Sequence, residues 1–252
     1  MEFSRGLGLL ARAGATVAVL VLWEWAARVQ ISFNFPTPAA TFLALWQGAA
    51  SGELLAASTI TMRALILGLG AAAAFGVPFG LVMGVVRPVG RVARVYLDLL
   101  IALPTAALIP LIILTFGINL ISSAAVVFIF SAPFITVNAY GGVRDVSPRL
   151  VEMARSFNGS WGQLFTLVIL PAATPMILSG LRYGLSRAFV GVVVVELLLS
   201  PVGLGLVIVT RRSMFEYDHM FAAVIWTIAL AVVLLTLLQR LEGRLLRWRV
   251  QA

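Results

Sequence analysis

The sequence predicts an all-α membrane protein of about six transmembrane helices. Three observations carry that expectation. Of 252 residues, 61% are hydrophobic and 11% charged, where soluble domains run about half apolar and a quarter charged. The apolar residues gather into runs of the roughly 20 residues that a spanning helix needs. All eighteen basic residues are Arg, and most of them sit between those runs, as topology markers do.

The first run covers residues 13–29, behind Arg5 and Arg12. Its apolar stretch ends in Glu24 and Arg28 and the chain stays hydrophobic beyond, which favours an uncleaved span over a signal peptide. Trp23 and Trp25 suit an interface. Residues 30–56 are less apolar; Pro36 and Pro38 interrupt them, and Thr37 or Pro38 starts a short helix through Trp46. Further spans follow at 59–86, at 95–116 with interruptions at Pro104 and Pro110, at 120–140 after a turn at 117–119, at 172–199 and at 220–238. The whole of 1–252 reads as one transmembrane domain with a polar loop at 144–170.

Arg distribution orients the chain. Arg5 and Arg12 precede the first span, and no Arg occurs between Gln30 and Met62. Arg87, Arg91 and Arg94 follow the second span; Arg144, Arg149 and Arg155 follow the fourth; Arg240, Arg244, Arg247 and Arg249 follow the sixth. The alternation places both termini in the cytoplasm. Arg211 and Arg212 dissent, with Glu216 and Asp218 close behind them.

Several function classes are excluded early. With no Cys the chain lacks disulfides and thiolate chemistry, and its one His, His219, argues against a zinc or haem site built from this chain alone. The net charge of +8 is topological, not a nucleic-acid footprint. No Lys exists to serve a phosphate-cradling Gly-Lys-Thr loop.

Two packing signals stand inside the spans. Gly68, Ala72, Gly76, Gly80 and Gly84 recur every fourth residue, and Gly180, Gly184 and Ala188 repeat the pattern. Such stripes let another helix approach closely, from the same chain or a second copy. Pro104 and Pro110 remove backbone donors in the third span, which suits either a pathway wall or a kinked packing helix.

The polar loop holds the most specific pattern. Ser147 and Pro148 open a short helix, and Asn158-Gly159 ends it. Ser160 with Gln163 forms a capping box for a second helix, and Pro171 and Pro175 mark entry into the fifth span. In the first helix Leu150, Val151, Ala154 and Phe157 share one apolar face, flanked by Arg149, Glu152 and Arg155. Such a helix lies on a membrane or fills a groove in a soluble partner.

Glu152-Met153-Ala154-Arg155-Ser156-Phe157-Asn158-Gly159 followed by Ile169-Leu170-Pro171 resembles the EAA loop of permease subunits of binding-protein-dependent ABC importers. Met153 replaces the family's first Ala, and Asn158 stands where the family has Gly. Phe35 to Pro38, Leu103-Pro104, Thr115 to Ile118, Asn138 to Arg144 and Gly180 to Glu196 are similar to the nitrate/sulfonate/taurine subgroup. The resemblance implies a type I ABC importer permease fold in a bacterial cytoplasmic (inner) membrane. It implies a second permease copy, two ATPase subunits that bind the ATP and Mg, and a periplasmic or lipid-anchored substrate-binding protein. No cofactor is implied in this chain. The implied coupling residues are Arg149, Leu150, Glu152, Ala154, Arg155, Phe157, Asn158 and Gly159. Leu150, Ala154 and Phe157 would fill the ATPase groove, and Glu152 and Arg155 would orient the helix.

Polar residues inside spans are the default pathway candidates for a small anionic solute: Thr105, Ser131, Thr136, Asn138, Tyr140, Arg187 and Glu196. Arg182 is placed either there or at the cytoplasmic interface, and Arg211 and Arg212 either contact a binding protein or form a surface loop. Two rival classes are a polytopic membrane enzyme and a non-transporting membrane adaptor. The nearest serine-protease match, Gly159-Ser160-Trp161-Gly162, is misspelled and lies in the polar loop.

Overall fold

The small residues at every fourth position decide the centre of the molecule. The computed structural model describes residues 2–29, 35–198 and 202–246, with side chains from residue 14 onward. Helix α3 (Glu53–Val85) and helix α9 (Leu170–Leu198) both pack against α6 (Leu120–Arg144). A Cβ at Gly68 would lie 2.5 Å from the Ala124 carbonyl oxygen, and one at Gly80 2.5 Å from that of Thr136. From the other side, a Cβ at Gly180 would lie 2.6 Å from the Asn138 Cβ and one at Gly184 2.5 Å from the Ile135 Cγ1. The partner of both stripes is therefore α6 of the same chain. Close backbone approach of this kind holds helices together in lipid, where no hydrophobic force draws them together. Ala72, Val126, Val127, Ile135, Ala139, Ala188 and Val192 are fully buried along these seams.

The outer helices wrap this core. Helix α1 (Glu2–Arg28) carries the first expected span, and Val17, Val19, Val21 and Leu22 are exposed as lipid-facing residues are. It is anchored where the Trp23 indole donates to the Pro36 carbonyl at 2.9 Å and the Trp23, Phe35 and Phe221 rings cluster. Helix α2 (Pro38–Ala50) starts at Thr37, whose hydroxyl accepts from the Ala40 N–H. It rests on α11 (Tyr217–Leu245), the last apolar helix. Asn119 caps α6 with a reciprocal box: its side chain accepts from the Ile121 and Ser122 N–H groups while the Ser122 hydroxyl accepts from its own N–H.

Among the described residues, four helices are long and apolar enough to cross a membrane: α3, α6, the rod Trp161–Leu198 and α11. They account for the expected second, fourth, fifth and sixth spans. Among the described residues the structure is helical with no strands. Leu199, Arg247 and Arg249 lie outside the described residues, as do the side chains of Arg5 and Arg12.

Two expectations are corrected. The third span is not one kinked helix. Helix α4 (Arg87–Ala102) and the segment Thr105–Phe116, a 3₁₀ turn followed by α5 (Ile109–Phe116), meet at 90°. Pro104 makes the break, whereas Pro110 sits in the first turn of α5, where its missing N–H costs nothing. The fifth span also starts earlier than Pro171. The short helix α8 (Trp161–Leu164) runs through a π turn at Phe165–Ile169 straight into α9. The widened turn ends two residues before Pro171, a residue with no N–H to donate. An additional helix, α10 (Gly203–Ser213), occupies the connection between α9 and α11.

Candidate functional site

The polar loop builds its first helix, α7 (Pro148–Ser156), largely as its residues dictate. Ser147 holds the N-cap position without a side-chain bond, and Pro148 occupies the first turn. The helix stops one residue before Phe157, and Asn158 takes the left-handed conformation at φ 53°. Asn tolerates that region, so the departure from a family Gly there keeps the turn. Gly159 serves a different need: its N–H donates to the Ala154 carbonyl, and a Cβ there would lie 3.1 Å from that oxygen. The Ser160–Gln163 box is complete, with Ser160 N–H to Gln163 Oε1 at 2.8 Å and Gln163 N–H to Ser160 Oγ at 3.3 Å. It starts the 38-residue rod Trp161–Leu198.

The expected apolar face of α7 divides. Val151 and Ala154 turn inward, onto a core of Ala139, Val143, Leu164, Ile169 and Ala173. Leu150 and Phe157 turn outward, Phe157 with 81% of its surface exposed, and Met153 joins them. The spacing 150, 153, 157 makes a stripe along one side of the helix. Ala154 is thus part of this chain's own packing and not part of a free surface. Arg149 is exposed. Glu152 and Arg155 make no ion pair with any described residue; both line a cavity of about 650 Å³ between α7 and the bundle, with Arg87 and Arg144.

The polar residues expected in a pathway are dispersed. Thr105 opens the 3₁₀ turn and is half-buried. Ser131 and Thr136 are buried in the α3–α6–α9 seam, their hydroxyls donating to the Val127 and Ala132 carbonyls. Asn138 is half-buried and donates to the Phe134 carbonyl at 2.8 Å. The Arg187 guanidinium lies 4.8 Å from the centroid of the Phe134 ring and is exposed. Tyr140 lies under Arg94. Arg182 instead pairs with Glu242 of α11 at 3.3 Å.

Glu196 does something the sequence did not suggest. It is 2% exposed, and its carboxylate ties three helices together. The Thr61 hydroxyl of α3 donates to Oε1 at 2.8 Å, and the Gly205 N–H of α10 donates to Oε2 at 3.0 Å. Thr61 also accepts the Leu204 N–H at 3.1 Å. Gly203, at φ 65°, presses so closely that a Cβ would collide with the Glu196 carboxylate. A carboxylate at the first turn of a helix satisfies donors that would otherwise be orphaned. One edge of Glu196 reaches a cavity of about 220 Å³ that Arg63, Asn119 and Ser123 also line. Arg63 was not singled out from sequence; a charge in the middle of an apolar run was the available signal.

Beside this knot, Arg211 donates to both Glu53 oxygens, at 2.8 and 2.7 Å, and to Glu216. The bonds to Glu216 and then Glu53 raise the Arg211 pKa above its ordinary value. Two carboxylates thus compensate the charge that broke the Arg alternation. Arg212 is exposed, and His219 contacts Asp218. Among the described residues, no three His, Cys, Asp or Glu gather to hold a metal.

Comparison with known proteins assigns this architecture. The family model described as "Binding-protein-dependent transport system inner membrane component" matches residues 76–247, a stretch that contains α7, its capped turn and the rod behind it. The chain belongs to this family. The permease is 32% identical over 218 residues to SsuC of Bacillus subtilis (strain 168), a candidate aliphatic sulfonates transport permease protein, covering 85% of this chain and 78% of the relative. It is 28% identical over 242 residues to the taurine transport system permease protein TauC of Escherichia coli (strain K12), covering 93% and 88% respectively. Among solved structures it resembles a chain of the inward-facing MetNI methionine ABC transporter, with a TM-score of 0.64 at 20% identity over 77% of this chain and 94% of that one. That likeness shows the type I permease fold. The permease is a multi-pass membrane protein and a transport subunit, not an enzyme.

Proposed function

We propose that this permease forms, with a second copy of itself, the transmembrane pathway of an ATP-driven importer in the bacterial inner membrane. Both termini face the cytoplasm, as the Arg distribution favours. A substrate-binding protein outside delivers a small anionic solute, and the names of the relatives favour a sulfonate. Two partner ATPase subunits bind ATP and Mg, since this chain has no Lys for a phosphate loop. Residues 1–252 act as a single permease domain.

The observation that carries the reading is the exposed stripe of Leu150, Met153 and Phe157 at the foot of a continuous rod. An amphipathic helix of this kind docks in a hydrophobic groove of a partner. The capped Asn158–Gln163 turn joins it to Trp161–Leu198 with little slack, so a displaced α7 moves α9 with it. Arg149, Glu152 and Arg155 set the orientation of α7 against the groove, with Glu152 and Arg155 on the cavity side. For the solute, Thr105, Asn138, Tyr140 and Arg187 are the candidates left with partly or fully exposed side chains, with Arg63 added near the α10 end. An exposed Arg suits an anion.

Phe157→Asp tests the coupling role. The side chain is free, so the variant folds with an unchanged elution profile but loses ATPase co-purification and ATP-dependent uptake in proteoliposomes. Full assembly and uptake in that variant would overturn the assignment. Uptake in the wild type also separates a transporter from a membrane adaptor.

A further inference from the structure

Four arginines, Arg87, Arg91, Arg94 and Arg144, line one cavity of about 330 Å³ with Tyr140. Arg94 is compensated by Asp98 at 2.8 Å. The other three make no ion pair or hydrogen bond with any described residue. The cavity is built and not a chance gathering on a surface. Gly90, on α4, is buried against the Met83 carbonyl, and a Cβ there would lie 3.0 Å from the Tyr140 ring. That approach seats α4 on α3 and α6 and sets the depth of the cavity. Arg87 and Arg144 also line the adjoining cavity with Glu152, which pairs with neither. Three guanidiniums without an ion pair facing one space repel each other, and an anion between them removes the repulsion. Guanidinium forks match phosphate oxygens bidentately.

The other flank of α4 indicates where the anion comes from. Arg87, Arg91 and Arg94 fall on one side by their spacing. Val92, Val95, Tyr96 and Leu99 are all more than half exposed. The 90° bend after Ala102 separates α4 from the apolar segment that follows. A basic face and an apolar face on one helix define an element lying in the membrane interface. A soluble anion would use only the first face, whereas an anionic lipid uses both.

We propose that this cavity is a binding site for an anionic phospholipid, its phosphate held by Arg87, Arg91 and Arg144 and its acyl chains lying along Val92, Val95, Tyr96 and Leu99. Basic pockets at helix junctions on the cytoplasmic side recognise lipid head groups through the same chemistry.

Native mass spectrometry of the full-length permease in detergent tests it, with phosphatidylglycerol, phosphatidylcholine of the same chains, and glycerol phosphate as a chainless anion. Phosphatidylglycerol should bind at least about ten-fold tighter than phosphatidylcholine. Its affinity should fall about five-fold for each arginine removed. Arg87→Gln/Arg91→Gln/Arg144→Gln should abolish the preference, and Arg240→Gln/Arg244→Gln should preserve it. Equal binding of the two lipids, or a preference surviving in the triple variant, overturns the proposal. Displacement of phosphatidylglycerol by equimolar glycerol phosphate also overturns it, since the site would then take a free anion. Should the triple variant not fold, single Arg91→Gln carries the test through its about five-fold weakening, and Arg91→Lys should restore most of the affinity.

Discussion

The Glu196 knot makes the sharpest prediction. Glu196→Ala removes the acceptor of the buried Gly205 N–H, 3.0 Å away. An orphaned buried donor costs about 1–3 kcal/mol. Thr61 keeps a partner, the Ala57 carbonyl at 3.3 Å, so its hydroxyl adds little. The vacated volume adds about 1 kcal/mol, for a total of about 2–4 kcal/mol. In a chain of this length each kcal/mol moves the thermal midpoint by roughly 2–4 °C. The midpoint should fall by about 4–16 °C, read by tryptophan fluorescence in detergent. Trp226 is a local reporter, because its indole donates to Ser58 one turn from Thr61. Glu196→Gln keeps the shape and one acceptor oxygen and should lose only about 1 kcal/mol. A midpoint within about 2 °C of wild type for the Ala variant refutes the tie. Full stability with loss of uptake would instead return Glu196 to the pathway.

Gly80→Ala drives a Cβ to 2.5 Å from the Thr136 carbonyl and 2.7 Å from the Ala139 Cβ; separating α3 from α6 should cost about 1–3 kcal/mol in the same unfolding assay. Gly70→Ala, with nothing within 4 Å of its Cβ, should hold or gain up to about 1 kcal/mol from helix propensity, and equal losses at the two positions would refute the seam. Arg211→Gln should lower the midpoint by the equivalent of about 1 kcal/mol at low salt. High salt should shrink the difference, because the Glu53 and Glu216 partners are partly exposed and screened. A difference independent of salt would mean that packing, not charge, is lost.

Local chemistry was legible and distant partnership was not. The capping box at Ser160–Gln163 and the left-handed Asn158 involve neighbours in the chain, so their residue types suffice to read them. The Gly68 to Gly84 stripe announced close packing, but only the fold names α6 as the partner. Glu196 and Thr61 are 135 residues apart, and nothing in either's surroundings points to the other. A readable trace did exist in Gly203 and Gly205, two glycines closely following a lone acidic residue in an apolar run.

The third span shows what a hydropathy window leaves out. Beginning the span at Val95 left Arg87, Arg91 and Arg94 outside as a loop, whereas α4 starts at Arg87 and meets the apolar segment beyond it at 90°. Read by helical period instead, 87, 91 and 94 share a flank and 92, 95, 96 and 99 take the others, which is the pattern of an interfacial helix. The same limit applies to α7. Its period identifies apolar positions, but three of every seven residues can face the chain's own core or a partner, and sequence cannot sort Val151 and Ala154 from Leu150, Met153 and Phe157. Only the position of the core against α7 divides them. A variant at Ala154 would therefore perturb folding and docking together, whereas one at Phe157 perturbs docking alone.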